Sequence, residues 1–418
     1  MRIRRTVPTV ASSLFLLLSA ACARAPDHGH TFTVETLEGI PTAVTRGGPK
    51  YDRPLFTFEE IVTLKEDTTN GASLLYRPGM FVTGEDGRYY VADSGNHRIA
   101  IFDAAGSFLG SFGRTGQGPG DIGDISWLSL SGDEIQIWEM TNERVSRFRT
   151  DGSLIGIVPV PRRHEEYRTG VPFRMHVLDD GRVVLITQQE QMLPDAMPMR
   201  RAAFLVTAGE DSLFSVRTPW LRTGRFIPYG SGSRMYIQPP FIPFPDIVFS
   251  RLHGLVISPG TGPILECVDI DNKVKRIMID GEPPAVTAED RAGIRRRLEE
   301  RLARSEGRQR DMLKAELGAL EFPLSRPWWL HIQVDDRGYF WLWCSETAEE
   351  RAAAGGGTLY RLLDPRGEYL GDTRLPLFVG GMSFYRGRLL GILPESVTAT
   401  DRLRVYRIVP AVTGLRYP

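Results

Sequence analysis

Short runs of β-branched and aromatic residues alternate with Gly, Asn and Asp turns along most of the chain, and residues 86–109 show this most clearly. Asp86-Gly87 leads into Arg88-Tyr89-Tyr90-Val91-Ala92-Asp93, Ser94-Gly95-Asn96-His97 into Arg98-Ile99-Ala100-Ile101-Phe102, and Asp103 to Gly106 into Ser107-Phe108-Leu109. Period-two alternation, bounded by residues that accept positive φ or form Asx turns, predicts strand, turn, strand, turn, strand. A shift of 46 residues returns the pattern: Asn96, Arg98, Phe102 and Gly106 fall on Asn142, Arg144, Phe148 and Gly152. Looser copies follow from the turns at Asp180-Gly181, His253-Gly254, Arg337-Gly338 and Arg386-Gly387.

Six units of about 45 to 50 residues have the period of a β-propeller blade. The last copy ends at Arg402 to Ile408 without an outer strand, and an orphan strand, Glu60 to Lys65, precedes the first copy. These two halves complete each other. The predicted fold is all-β, a six-bladed β-propeller whose N-terminal strand closes the last blade and leaves no long sheet edge. One stretch breaks the β pattern. Thr287-Ala288-Glu289-Asp290 reads as a capping box, and Ile294, Leu298 and Leu302 follow at helical spacing. Residues 287–320 are therefore a helical insertion between blades four and five, split at Gly307, with nine basic and seven acidic residues. It must lie outside the sheet stack, packed on one face or projecting as a lid or docking arm.

The 418 residues include 51 basic and 51 acidic side chains. Removing Arg2, Arg4 and Arg5 leaves 48 against 51, a net charge of about −3. Such a body gives no electrostatic reason to expect nucleic acid as a partner. Those three arginines lead into the apolar run Val10 to Leu18, so residues 1–21 read as a secretory signal. Its apolar part, 13 residues between Pro8 and Cys22, is shorter than the roughly 20 needed to cross a bilayer. Residues 22–50 read as a tether with one strand, Thr31 to Val34, laid against the ring, and residues 51–418 as the propeller. Cys267 and Cys344 both lie in apolar runs and read as two buried thiols, with a single disulfide the alternative.

Ser19-Ala20-Ala21-Cys22 resembles a bacterial lipobox. The resemblance implies acylation of Cys22, and Ala23 after it implies the outer membrane. Asp93-Ser94-Gly95-Asn96-His97-Arg98-Ile99, followed by Phe102-Asp103 and Gly106-Ser107-Phe108, resembles an NHL repeat. Its continuation, Phe112 to Asp121, resembles the inter-blade link of bacterial six-bladed propeller lipoproteins of that kind. The resemblance implies the fold and, in so diverse a group, little about activity.

Candidate chemistry is sparse. Gly113 to Gly120 lacks a Gly-Lys-Ser/Thr ending and leads to a strand, so it reads as a linking turn rather than a phosphate site. Arg98 and Arg144 recur at one position in successive blades, which favours a structural role, and no Gly-x-Ser-x-Gly elbow occurs. Aligning the inner strands on their turns assigns the central channel Arg174 and His176, then His331 and Gln333. The remaining positions are apolar or small: Met80, Val82, Ser126, Leu128, Ile247, Phe249, Gly380 and Met382. Some six-bladed relatives, the amidoglycolate lyases and gluconolactonase-like hydrolases, hold a divalent metal in that channel. A catalytic zinc takes about three protein ligands, and here neither a third histidine nor a carboxylate joins the two at the aligned positions.

The chain thus reads as an envelope-anchored binding or scaffold module without chemistry of its own. Its expected partners are the membrane, through the lipid, and an envelope protein or small ligand, and it needs no cofactor. The alternative is a metal-dependent lyase or lactonase-type hydrolase with its site in the channel, the one reading that requires a divalent metal.

Overall fold

The computed structural model describes residues 29–65, 71–160, 170–192, 198–209, 211–230, 232–260, 262–376, 382–393 and 402–417. Cys22, His28, His164 and Gly380 lie outside them. Within them are six antiparallel blades, each built on four strands. Blade one runs outward through Pro78–Thr83, Tyr89–Asp93, Arg98–Phe102 and Phe108–Phe112. The inner strands of blades two to six are Trp127–Ser131, Gly170–Val177, Asp246–Ser250, His331–Val334 and Met382–Tyr385.

Alternation along one strand serves two interfaces, because successive side chains leave opposite faces of a sheet. In blade one Tyr89 and Val91 pack toward blade six, among Leu390, Ile392, Leu403 and Val405. Tyr90 and Ala92 pack toward blade two, among Leu128, Ile135, Ile137 and Phe148. Each of the other four interfaces has its own apolar cluster, so the core is a ring of six. Burying a side chain of this size contributes about 1.5–3 kcal/mol.

The ring closes as the sequence predicts. Phe56–Thr63, a little earlier than the expected Glu60 to Lys65, pairs antiparallel with Arg402–Pro410 and becomes the outer strand of blade six. Gly106 and Gly152 occupy the same outer turn in blades one and two, with φ of 84° and 89°. A Cβ on Gly106 would sit 2.6 Å from the Thr63 carbonyl oxygen, and one on Gly152 would sit 2.7 Å from the Phe112 Cβ. Each turn therefore presses on the outer strand of the blade before it, and only glycine fits both the conformation and the space.

Two additions decorate the ring. The segment expected to carry one strand forms two, Thr31–Leu37 and Ile40–Arg46, and the second pairs in parallel with Val274–Ile279 at the edge of blade four. Thr42, Val44 and Thr45 are buried there, and His30 and Lys50 both reach Glu368 on blade five. That stretch is part of the folded body rather than a bare spacer. The helical insertion comprises α1 (Ala288–Ala303), capped by Thr287 and Asp290 as expected, and α2 (Gly307–Gly318). A hairpin of Arg225–Tyr229 and Ser233–Ile237 supports it, and a third helix, α3 (Ala348–Ala353), lies between the second and third strands of blade five.

Candidate functional site in the central channel

All six inner strands border a cavity of about 760 Å³ on the ring axis. Blade one contributes Met80 and Val82, blade four Phe249 and blade six Met382, as the alignment expected. Blade two differs by one residue. Leu128 lines the cavity and also packs into the interface with blade one, Trp127 and Ser129 join it in the wall, and Ser126 is not part of the wall. Ile247 likewise points into the core shared with blade three.

The four predicted polar residues all line this cavity. A register shift between Pro172 and Arg174 precedes strict alternation in blade three, so Arg174 and His176 face the axis while Met175 and Val177 enter the core. The Arg174 guanidinium lies 3.8 Å from the centre of the Trp127 ring and 4.9 Å from that of Phe173. It makes no ion pair with any described residue. Burial lowers its pKa to about 10, a loss that the nearby Asp246 charge partly opposes. The His176 ring sits 5.1 Å from Phe249 and 6.2 Å from Trp127, and its buried Nε2 has no hydrogen-bond partner among the described residues. Burial, with the charges of Arg174 and Arg251, drives its pKa down to about 3, so this imidazole is neutral at physiological pH.

His331 has a partner the alignment did not supply. Its Nδ1 lies 2.7 Å from Oδ2 of Asp246, the first residue of blade four's inner strand, and the same oxygen accepts the Ile332 N–H at 2.7 Å. The aligned positions hold no carboxylate; the partner of His331 is Asp246, one residue before them. Desolvation works against the Asp246 charge, but the His331 charge, its hydrogen bond and the Ile332 amide outweigh it, and the pKa falls. Asp246 is the only acidic residue in the six inner strands, the one signal in the sequence that marked it. Gln333 donates weakly to the Met382 carbonyl at 3.5 Å, and its buried Oε1 has no partner among the described residues, like Nε1 of Trp127 and of Trp343.

These donors do not fit a catalytic metal. Among the described residues, no three His, Cys, Asp or Glu side chains come together in a way that could hold an ion. His176 stands in an aromatic pocket and Asp246 is committed to His331 and the Ile332 amide.

The remaining candidates are structural. Arg144 donates to Glu139 at 3.0 Å and to the carbonyls of Gln117 and Asp121 at 2.8 and 2.9 Å, fastening the glycine-rich link to blade two. Arg98 repeats this with Asp93 and the Leu74 carbonyl. His97 is held by the Gly123 carbonyl, and His253 stacks on Phe340 and bonds the Gly338 carbonyl. Cys267 and Cys344 are buried free thiols, each pushed up to about 12 by desolvation.

The helical insertion connects to the channel through α3. Arg297 of α1 pairs with Glu349, and Arg326 bridges Asp290 of α1 to Glu350. The next residue, Arg351, is in the cavity wall. Beneath α1 and α2 lies a separate hollow of about 240 Å³, lined by Pro239, Leu298, Arg301 and Leu320 among others.

The NHL repeat family model matches residues 75–102, the first three strands of blade one. No curated protein matches the sequence. Among solved structures, an exported-protein candidate from Bacteroides fragilis aligns with a TM-score of 0.46 and 12% identity, covering 86% of this chain and 98% of that one. A member of the duf4221 family from Bacteroides vulgatus gives 0.44 and 12%, with 85% and 99% covered. Virginiamycin B lyase from Staphylococcus aureus gives 0.38 and 11%, with 85% and 100% covered. Identities this low carry no argument about shared chemistry.

Proposed function

We propose that the chain is an exported propeller, anchored to the cell envelope through a lipid on Cys22 at the outer membrane, and that it works by binding a small ligand in its channel rather than by chemistry. One observation carries this reading. Six inner strands frame a cavity within the usual size range of ligand sites, with apolar walls and a few polar groups gathered on blades three to five. Several of those groups, His176 Nε2 and Gln333 Oε1 among them, have no partner among the described residues, and a buried polar atom left unpaired costs about 1–3 kcal/mol. The tie from the helical insertion through α3 to the segment that carries Arg351 supports a role for the insertion at the mouth, as a lid or as a dock for an envelope protein.

A metal-dependent lyase or lactonase-type hydrolase in the same channel is the second reading. What favours it is the His331–Asp246 pair, since a metal-bound histidine commonly bonds a carboxylate through its other ring nitrogen.

Thermal-shift screening of the full chain against a small-molecule library tests the first reading, with Ser129→Trp as the cavity-filled control. Compounds that raise the wild-type Tm and leave the filled variant unmoved support it. Equal shifts in both proteins overturn it and turn attention to the outer faces. Elemental analysis of chelator-free protein separates the second: about one tightly held metal per chain, lost in His331→Ala, favours the enzyme. Cys22→Ser should move the protein from the membrane to the soluble fraction.

A further inference from the structure

The charges around the cavity are one-sided. Its described lining residues include Arg174, Arg351, His176 and His331 and not one Asp or Glu. Asp246 belongs to a different hollow, beside Phe173 and Pro245, where it pairs with His331; its charge is felt at Arg174, but no ion pair or hydrogen bond joins the two. Arg351 leans toward Glu346, with 3.4 Å between Nε and Oε1. Arg174 is thus the one lining cation with neither a carboxylate partner nor an internal hydrogen bond among the described residues. Its near neighbours, Trp127 and Phe173, are flat and apolar, and stacking on Trp127 uses a face of the guanidinium while leaving its N–H edge for an acceptor. Retaining a desolvated charge without a partner costs stability unless something outside the fold compensates it.

We infer that the channel binds a small organic carboxylate, its charged end on the N–H edge of Arg174 and its apolar body against Trp127, Phe249, Met80 and Met382. A planar carboxylate matches the guanidinium fork in two parallel hydrogen bonds, and a single unpaired arginine suits one negative charge better than the two of a phosphate ester. This inference rests on the channel being a ligand site and adds the class of ligand.

Isothermal titration calorimetry on the full chain in non-ionic detergent tests it with three probes: 2-naphthoate, the uncharged 2-naphthamide, and phenyl phosphate. The carboxylate should bind about tenfold or more tightly than the amide, as a charge-assisted pair requires. Arg174→Met should erase that preference and leave the amide affinity within about twofold, because only the charged end is lost. Arg149→Met, a control at an exposed arginine paired with Asp133, should change neither affinity. Equal binding of acid and amide, a preference that survives Arg174→Met, tighter binding of phenyl phosphate, or no binding by any probe overturns the inference. Amide binding without an acid preference overturns the ligand class alone. Ser129→Trp binding the probes as well as wild type takes down the channel site itself.

Discussion

Arg144 and Arg174 are the same side chain in adjacent blades, the first buried and the second half-buried on the channel wall, with opposite surroundings. Arg144 faces Glu139, which also accepts from Asn142, Ser146 and the Gly123 amide, and its other nitrogens reach two carbonyls of the inter-blade link. Every charge there is answered inside the chain. Arg174 has aromatic rings beside it and no hydrogen-bond acceptor among the described residues. Blades one and two thus use a buried cation as a fastener, whereas blade three holds one toward the axis where, among the described residues, only the Asp246 charge, already paired with His331, offsets it. A buried charge with a complete partner set accounts for itself; one without points outside the fold.

The largest expected effect lies on the fastened side. Arg144→Met leaves the fully buried Glu139 carboxylate without its counter-charge and frees the 114–121 link, and breaking such a pair costs about 3–5 kcal/mol. The urea midpoint should fall accordingly. A loss below about 1 kcal/mol, the range of exposed pairs, would show that the clasp is not buried in energetic terms and would collapse the contrast with Arg174.

The channel side should declare itself through pH. His176 titrates near 6.5 when unfolded and at about 3 when folded, so between those values the unfolded chain binds a proton that the native state refuses. Its contribution is fully present above 6.5 and is lost as pH falls toward 3. At pH 5 this amounts to about 2 kcal/mol, at 1.36 kcal/mol per unit. Asp246 and Glu368, both held below the ordinary carboxylate range, add acid sensitivity lower down. The difference between wild type and His176→Phe isolates the imidazole. Urea midpoints at pH 7 and pH 5 should diverge in wild type by about that amount more than in the variant. Parallel behaviour would mean that water reaches the imidazole, and that the polar sector is less enclosed than the fastened blades.

How far these two regions were legible differs for physical reasons. The blade period, the closing strand and the capped insertion could be read because each has a local signature: turn residues at fixed offsets, a missing outer strand and its orphan, and Thr287 three residues before Asp290. Arg174, His176, His331 and Gln333 were legible because alternation is strict once a strand is in register. In blade two Leu128 was placed in the wall and Ser126 wrongly so, while Trp127 and Ser129 were missed, because its inner hairpin turns on Gly132-Asp133 alone whereas blade three uses residues 178–182, and a change of turn length shifts the facing side chains. Asp246 was missed because it lies one residue before the aligned pair and its partner is 85 residues away on the next blade. The hairpin at 225–237 falls outside the blade period, and the six-residue α3 is too short for helical periodicity to register.

The smallest expected change is the most discriminating. Arg174→Met removes a cation–π contact worth about 0.5–2 kcal/mol and, with it, the cost of keeping a guanidinium away from bulk water. The replacement is unbranched, adapts to irregular space and favours contact with the Trp127 edge. Because no described residue hydrogen-bonds to Arg174, the substitution strands no acceptor, and the two terms oppose each other. The urea midpoint should therefore stay within about 1 kcal/mol of wild type, a surface-like response from a position on the channel wall. It should also relieve His176 of a neighbouring positive charge, so that the loss driven by this imidazole ends at a higher pH than in wild type, while the step between pH 7 and 5 stays nearly the same. A loss as large as that of Arg144→Met would mean that Arg174 braces the ring as its counterpart in blade two does, and the unanswered charge in the channel would no longer call for a ligand.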